Sequence, residues 1–67
     1  MISVHINGEP REFAQPLRVS ELIGELGLVG KRVALERNGD IVPRGAFAGQ
    51  MIADGDHIEI VVAVGGG

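Results

Sequence analysis

The residues with the clearest chemical potential stand at the end of this sequence. Val61-Val62-Ala63-Val64 is an apolar run rich in β-branched residues, and Gly65-Gly66-Gly67 follows it. β-Branched residues favour a packed, extended strand. Glycine has no side chain to pack and loses the most conformational freedom on ordering. The pattern predicts a rigid strand carrying a bare tail that can thread a slot too narrow for any Cβ. The one reactive group such a tail brings with it is the carboxylate of Gly67. The alternative is a frayed terminus, because chain ends fray unless something ties them down.

Other chemistry-bearing residues are fewer. Asp54-Gly55-Asp56-His57-Ile58-Glu59 gathers three carboxylates and an imidazole. It lacks the ligand spacing of a calcium loop and reads better as a turn entering a strand, so no metal site is expected. His5 and His57 are candidate acid–base groups, but both fall in the solvent-side register of their strands and are expected at the surface. No nucleophile–histidine constellation and no phosphate-binding glycine loop is present, so no catalytic residue is assigned. Arg18, Lys31, Arg32 and Arg44 read as scattered surface charges. Val61 and Ala63 are apolar on the face that His57 and Glu59 mark as wet. Either a second layer covers that face or it is a docking patch, which exposed apolar clusters often are. Val64 is grouped with them as a candidate partner contact.

Composition narrows the classes. Sixty-seven residues make one small domain, of a size that buries only about 60% of its unfolded surface. There is no cysteine, which excludes disulfide and thiolate-metal staples and argues against a secreted scaffold. Met1 leads directly into Ile2-Ser3-Val4-His5-Ile6, with no basic leader and no apolar run near the ~20 residues that span a bilayer. A cytoplasmic protein without a membrane role is the expectation. The net charge is −3 and the pI near 5.1. The basic residues form no run, and Phe13 and Phe47 are the only aromatics, so nucleic-acid binding is disfavoured. An apolar content of 45% suits a folded core rather than disorder.

The elements that must position the tail follow from periodicity. Ile2, Val4 and Ile6 alternate with polar residues as in a half-buried strand. Asn7-Gly8 supplies a tight hairpin turn, and Arg11 to Ala14 a second strand, with Pro10 suiting an edge or the loop side. Gln15-Pro16 breaks the pattern. Val19, Leu22, Ile23 and Leu26 recur at i, i+3, i+4 and i+7, the stripe of an amphipathic helix from about Val19 to Gly27. Arg18 is a weak N-cap, Gly24 costs about 1 kcal/mol relative to alanine, and Gly27 or Gly30 suits the C-cap. Val33 to Arg37 is the third strand, Asn38-Gly39 a second hairpin turn, and Ile41-Val42 a short strand ended by Pro43. Arg44 to Met51 is irregular, with one helical turn near Ala46-Phe47. Asp54-Gly55-Asp56 launches a last strand from His57 to Val64, with Ile58, Ile60, Val62 and Val64 on its inner face. Strands with one helix on one face define a two-layer α+β architecture. Its most economical form is a β-grasp: one mixed sheet of four to five strands on a single main helix, residues 1–64, followed by a flexible tail, 65–67.

Read whole, the chain resembles the sulfur-carrier proteins of thiamine biosynthesis, the ThiS family, within the ubiquitin-like β-grasp superfamily. The resemblance rests on Ile6-Asn7-Gly8-Glu9, Val19-Ser20-Glu21-Leu22, Val33 to Gly39, Ile41-Val42-Pro43-Arg44, Asp54 to Ile60 and Ala63-Val64-Gly65-Gly66-Gly67. Arg18 departs from the usual hydroxyl cap, and Gly65 adds a glycine before the final pair.

The resemblance implies a protein cosubstrate rather than an enzyme. An adenylyltransferase resembling ubiquitin-activating proteins would use ATP to adenylate the Gly67 carboxylate. Sulfur from a persulfide donor would then give a terminal thiocarboxylate, which donates sulfur to thiazole synthase. No bound cofactor is implied. Gly65, Gly66 and Gly67 would thread the partner's active site. The small subunit of molybdopterin synthase, a ubiquitin-like modifier of lysines and an inert β-grasp interaction domain are the rival readings.

Overall fold

A computed structural model of the chain describes residues 1–63. The expectations for Val64 and for Gly65-Gly66-Gly67 fall outside the described residues. Seven strands and one α-helix follow one another as β1 (Ile2–Ile6), β2 (Glu9–Phe13), β3 (Leu17–Arg18), α1 (Val19–Glu25), β4 (Val33–Arg37), β5 (Asp40–Val42), β6 (Met51–Ile52) and β7 (His57–Val62). A 3₁₀ turn at Arg44–Ala46 links β5 to β6. The main sheet has the order β2-β1-β7-β4-β5, and β3 pairs with β6 in a separate two-stranded ribbon. β1 and β7 run parallel and the other pairs antiparallel. The expected mixed sheet on one helix is therefore present with five strands, and β7 lies at its centre.

Both hairpins form as the Asn-Gly pairs require. Asn7 and Asn38 have φ of 51° and 52°, and Gly8 and Gly39 of 83° and 88°. Two successive positive φ values make the turn whose twist matches that of paired strands. β2 begins at Glu9 rather than Arg11 and takes in Pro10, opposite His5. Proline is tolerated because β2 is an edge strand, where a missing N–H breaks no ladder.

α1 is shorter than the apolar stripe suggests, ending at Glu25. Gly27 at φ 72° turns the chain. The Gly27 N–H donates to the Gly24 carbonyl at 3.1 Å and the Leu28 N–H to the Ile23 carbonyl at 3.0 Å, the paired bonds of a Schellman stop. Arg18 makes no side-chain cap, as expected, but the helix N-terminus is capped by other groups, which was not expected. Glu21 Oε1 accepts the Arg18 N–H at 2.7 Å, half of a capping box. The Val19 and Ser20 N–H groups donate to the carbonyls of Gln50 and Phe47, each at 2.9 Å. Backbone from the 3₁₀ region thus supplies acceptors that the local sequence lacks. The same region corrects a second expectation. Met51–Ile52 is a strand, pairing Leu17 with Ile52 and burying both.

The core lies between sheet and helix. Ile2, Val4 and Ile6 of β1 meet Ile58 and Ile60 of β7, Leu35, Val42, and Val19, Leu22 and Ile23 of α1. Asp56, in the turn before β7, is buried as well, a role its place in a turn did not suggest. Its carboxylate accepts Arg37 Nε at 2.6 Å, Asn38 Nδ2 at 3.0 Å and the Ala53 N–H at 2.9 Å. Burial raises its pKa, but the hydrogen bonds from Arg37, Ala53 and Asn38 and the Arg37 charge outweigh this and hold it below the ordinary 3.8. An acid depressed by folding stabilises the native state above its unfolded pKa, and that contribution is lost as pH falls through the lower folded value. Wild-type stability should accordingly decline below pH 3.8. Asp56→Asn should lose about 1.5–3 kcal/mol at neutral pH, the worth of hydrogen bonds to a charged group. The variant should also show a flatter acid limb in denaturant titrations repeated across pH.

Gly24 offers a test of opposite sign. A Cβ there meets nothing within 4 Å and its φ is not positive. Gly24→Ala should raise stability by about 0.5–1 kcal/mol. For a domain of this size that is a several-degree rise in Tm by calorimetry.

Candidate functional site: the exit of the central strand

The site is the place where β7 leaves the sheet. On one side β4 pairs Leu35 with Ile60, Ala34 with Val61 and Val33 with Val62. One further bond, from the Ala63 N–H to the Arg32 carbonyl at 2.9 Å, carries the ladder past the strand's formal end. On the other side β1 ends with Ile6 opposite Ile58, so β7 would lose its partner there. The Asn7 side chain takes over. Its Oδ1 accepts the Ile60 N–H at 2.7 Å and its Nδ2 donates to the Ile60 carbonyl at 3.1 Å. An amide side chain, carrying both a donor and an acceptor, imitates one more residue of β1.

The start of β7 is held by the other hairpin asparagine. Asn38 donates its N–H to the His57 carbonyl at 2.8 Å, and its Oδ1 accepts the His57 N–H at 2.9 Å. The two Asn-Gly turns are therefore clamps on β7 as well as turns. The Asn-Gly pairs marked the turns in the sequence; the residues that their side chains reach lie 53 and 19 positions away and left no local signal.

Around this exit the structure separates the candidate residues. Val61 is 66% exposed and Ala63 is exposed, so no second layer of the described chain covers that face. Val62, expected on the inner face, is 37% exposed, at a cavity that Leu26 and Leu28 also line. Val61 sits opposite Ala34 on the outer face of the sheet, with Ile41 exposed further along the face. Glu36 and Glu59 lie directly opposite one another between these apolar residues. His5 and His57 are exposed and stack at 4.8 Å with their planes 6° apart. They stand at the start of β7, six residues from Ala63, or roughly 20 Å along an extended strand. They are not positioned to act on anything held beyond Ala63. Among the described residues no three metal-ligating side chains gather, and no helix is long and apolar enough to cross a membrane.

The basic residues are not scattered as the sequence suggested. Arg18 pairs with Glu21, whereas Lys31, Arg32 and Arg44 line one cleft beside the exit. Two segments bring them there, the loop between α1 and β4, which carries Lys31 and Arg32, and the 3₁₀ turn, which begins at Arg44.

Comparison with known proteins agrees with this architecture. The ThiS family profile matches residues 4–67, and the chain belongs to that family. The crystal structure of the thiamine biosynthesis protein ThiS from Geobacter metallireducens superposes with a TM-score of 0.84 at 33% identity, covering 98% of this chain and all of that one. A thiazole synthase of Paramagnetospirillum magneticum is 48% identical over 62 residues, which are 92% of this chain and 19% of that protein. The ycf40 protein of Porphyra purpurea is 39% identical over 66 residues, covering 98% of this chain and 93% of its own. The chain thus spans about one-fifth of the thiazole synthases that it matches, 19% and 20% of their lengths.

The Asn7 clamp can be tested without disturbing the turn. Asn7→Gly keeps the positive φ accessible and removes both bonds to Ile60. It should destabilise the protein by about 1–2 kcal/mol. It should also speed amide exchange at Ile60 more than at Ile58, as followed residue by residue by NMR.

Proposed function

We propose that this protein is a sulfur carrier whose C-terminal carboxylate, on Gly67, is the working group, and that it serves the assembly of the thiazole of thiamine. The observation that carries the proposal is the delivery of the chain's end. A central strand, hydrogen-bonded through Ala63, leads directly into the sequence Val64-Gly65-Gly66-Gly67. Membership of the ThiS family and similarity to thiazole synthases support the same reading.

The chemistry follows from the weakness of a carboxylate as an electrophile. With an intrinsic pKa of about 3.3–3.7 it is ionised at neutral pH, and no good leaving group is attached to its carbon. An adenylyltransferase joins the Gly67 carboxylate to the α-phosphate of ATP and releases pyrophosphate. The terminal sulfur of a persulfide donor attacks the acyl carbon and AMP departs. A thiol then cleaves the resulting acyl disulfide, leaving a thiocarboxylate. Thiazole synthase's substrate accepts the sulfur at sulfide level, an oxygen from water or from that substrate's carbonyl takes its place on the acyl carbon, and the carboxylate is regenerated. Beyond the Gly67 carboxylate that is itself transformed, the proposal assigns no acid, base or nucleophile of this chain to these steps, and in that sense it is a cosubstrate.

The three glycines span up to roughly 10 Å when extended, at 3.3–3.6 Å per residue. That length takes the carboxylate into a partner's active site while the folded body stays outside. Val61 and Ala63 form the proposed docking edge at the outer sheet face, and Val64 is proposed as a further partner contact from its place in the sequence.

The absence of cysteine makes the test direct. The protein, incubated with the activating enzyme, ATP and a sulfur source and then treated with a thiol-alkylating reagent, should gain one label localised to Gly67 by fragment mass spectrometry. Gly66→Ala, or a chain lengthened beyond Gly67, should lose at least ~90% of the labelling with an unchanged thermal midpoint. Normal loading of either variant would sink the proposal. Adducts on other proteins that resist reducing agents would point instead to a lysine modifier.

A further inference from the structure

The cleft beside the exit of β7 has a composition that the sulfur-carrier reading does not use. It has a volume of about 500 Å³, and no acidic residue lines it. Ile23 of α1, Val33 of β4 and Phe47 after the 3₁₀ turn give it apolar walls, and Lys31, Arg32 and Arg44 bring three cations to it. These are half of the six basic residues of a chain with net charge −3. Among the described residues the ion pairs are Arg18–Glu21 and Arg37–Asp56, so none of the three cleft cations is paired with a carboxylate of the described chain. Like charges gathered at one site repel, and an anionic occupant relieves that repulsion.

Position says which occupant meets it. Arg32 holds Ala63 through its carbonyl, and Val33 is the cross-strand partner of Val62. Any protein that takes the C-terminal residues into its own active site must pass beside this cleft. Nearby, Val29 is 74% exposed and adds an apolar lip. Walls of this kind suit a side chain rather than a bare anion, and the cations suit carboxylates on either side of it.

We infer that the Lys31–Arg32–Arg44 cleft is a second docking site, which receives an acidic segment of thiazole synthase in which an apolar side chain is flanked by carboxylates. The inference rests on the sulfur-carrier reading for its choice of partner. The relatives in which this sequence and a thiazole synthase share one chain favour the synthase over other proteins. The site lies on the helix side of β7, opposite the Val61 face, so the exit strand is gripped from both sides. Charge complementarity there acts chiefly on association rate and orientation and weakens with salt.

The experiment is a binding titration of the full-length protein against thiazole synthase from the same source, by calorimetry at low and high ionic strength. Lys31→Glu and Arg44→Glu should each weaken binding at least ~10-fold at low salt and flatten its salt dependence. Lys31→Gln and Arg44→Gln should give smaller losses of the same kind. Arg11→Glu makes the same charge change on edge strand β2, outside the lining of the cleft, and should alter affinity less than ~2-fold. Unchanged thermal midpoints identify these as binding effects. Should the cleft variants bind no worse than Arg11→Glu while the wild type binds, the cleft assignment fails and the choice of partner stands. Should the wild type itself not bind an active synthase, the choice of partner fails and the cleft assignment goes with it.

Discussion

Everything in this fold depends on satisfying the backbone of its last strand on both edges. A central strand exposes no free ladder, but the polypeptide reaches β7 only after every other element has been laid down. The strand must therefore enter between β1 and β4 and find partners along its whole length. A buried peptide group without a partner costs about as much as a lost hydrogen bond. β4 meets the demand with main chain as far as the Arg32 carbonyl. β1 is too short, and the Asn7 amide extends its edge as far as Ile60.

A second set of polar contacts fixes the start of the same strand. Asp56 closes the turn before β7 and takes hydrogen bonds from Arg37, Asn38 and Ala53. Isolated in an apolar setting, such a carboxylate would favour its neutral form. With three donors and a guanidinium beside it, the charged form is favoured. The loop from Pro43 to Gln50 is tied down in a related way, by giving its carbonyls to the first turn of α1. In a domain too small for a large core, turns that also serve as partners for distant backbone add cohesion that apolar burial alone does not.

This construction separates rigidity from chemistry. The folded body fixes where β7 leaves the sheet, and the chemistry proposed for this protein lies beyond its described residues. The outer face offers exposed apolar residues around Val61, and the helix side offers the cationic cleft. The two surfaces flank the root of the C-terminal residues. A partner that engages both can align those residues before any reaction, lowering the entropic cost of positioning them. His5 and His57 sit at the far end of the strand and take no part in this arrangement.

Local patterning alone carried much of this structure. Alternating apolar residues set β1, β4 and most of β7; Asn7-Gly8 and Asn38-Gly39 set the hairpins; the Val19–Leu26 stripe set the helix. Val61-Val62-Ala63-Val64 and the glycines after it marked the end to which the proposed function assigns the chemistry. All of these are properties of neighbours a few residues apart, where side-chain period and backbone sterics act directly. Only the tertiary structure decided the rest. It placed β7 in the middle of the sheet, turned Met51–Ile52 into a strand, capped α1 with carbonyls from residues 47 and 50, buried Asp56 and gathered Lys31, Arg32 and Arg44 at one cleft. Each of these depends on groups brought together across long stretches of chain. Hydrogen bonds and charges act over a few ångströms of space, and distance along the sequence does not report that separation.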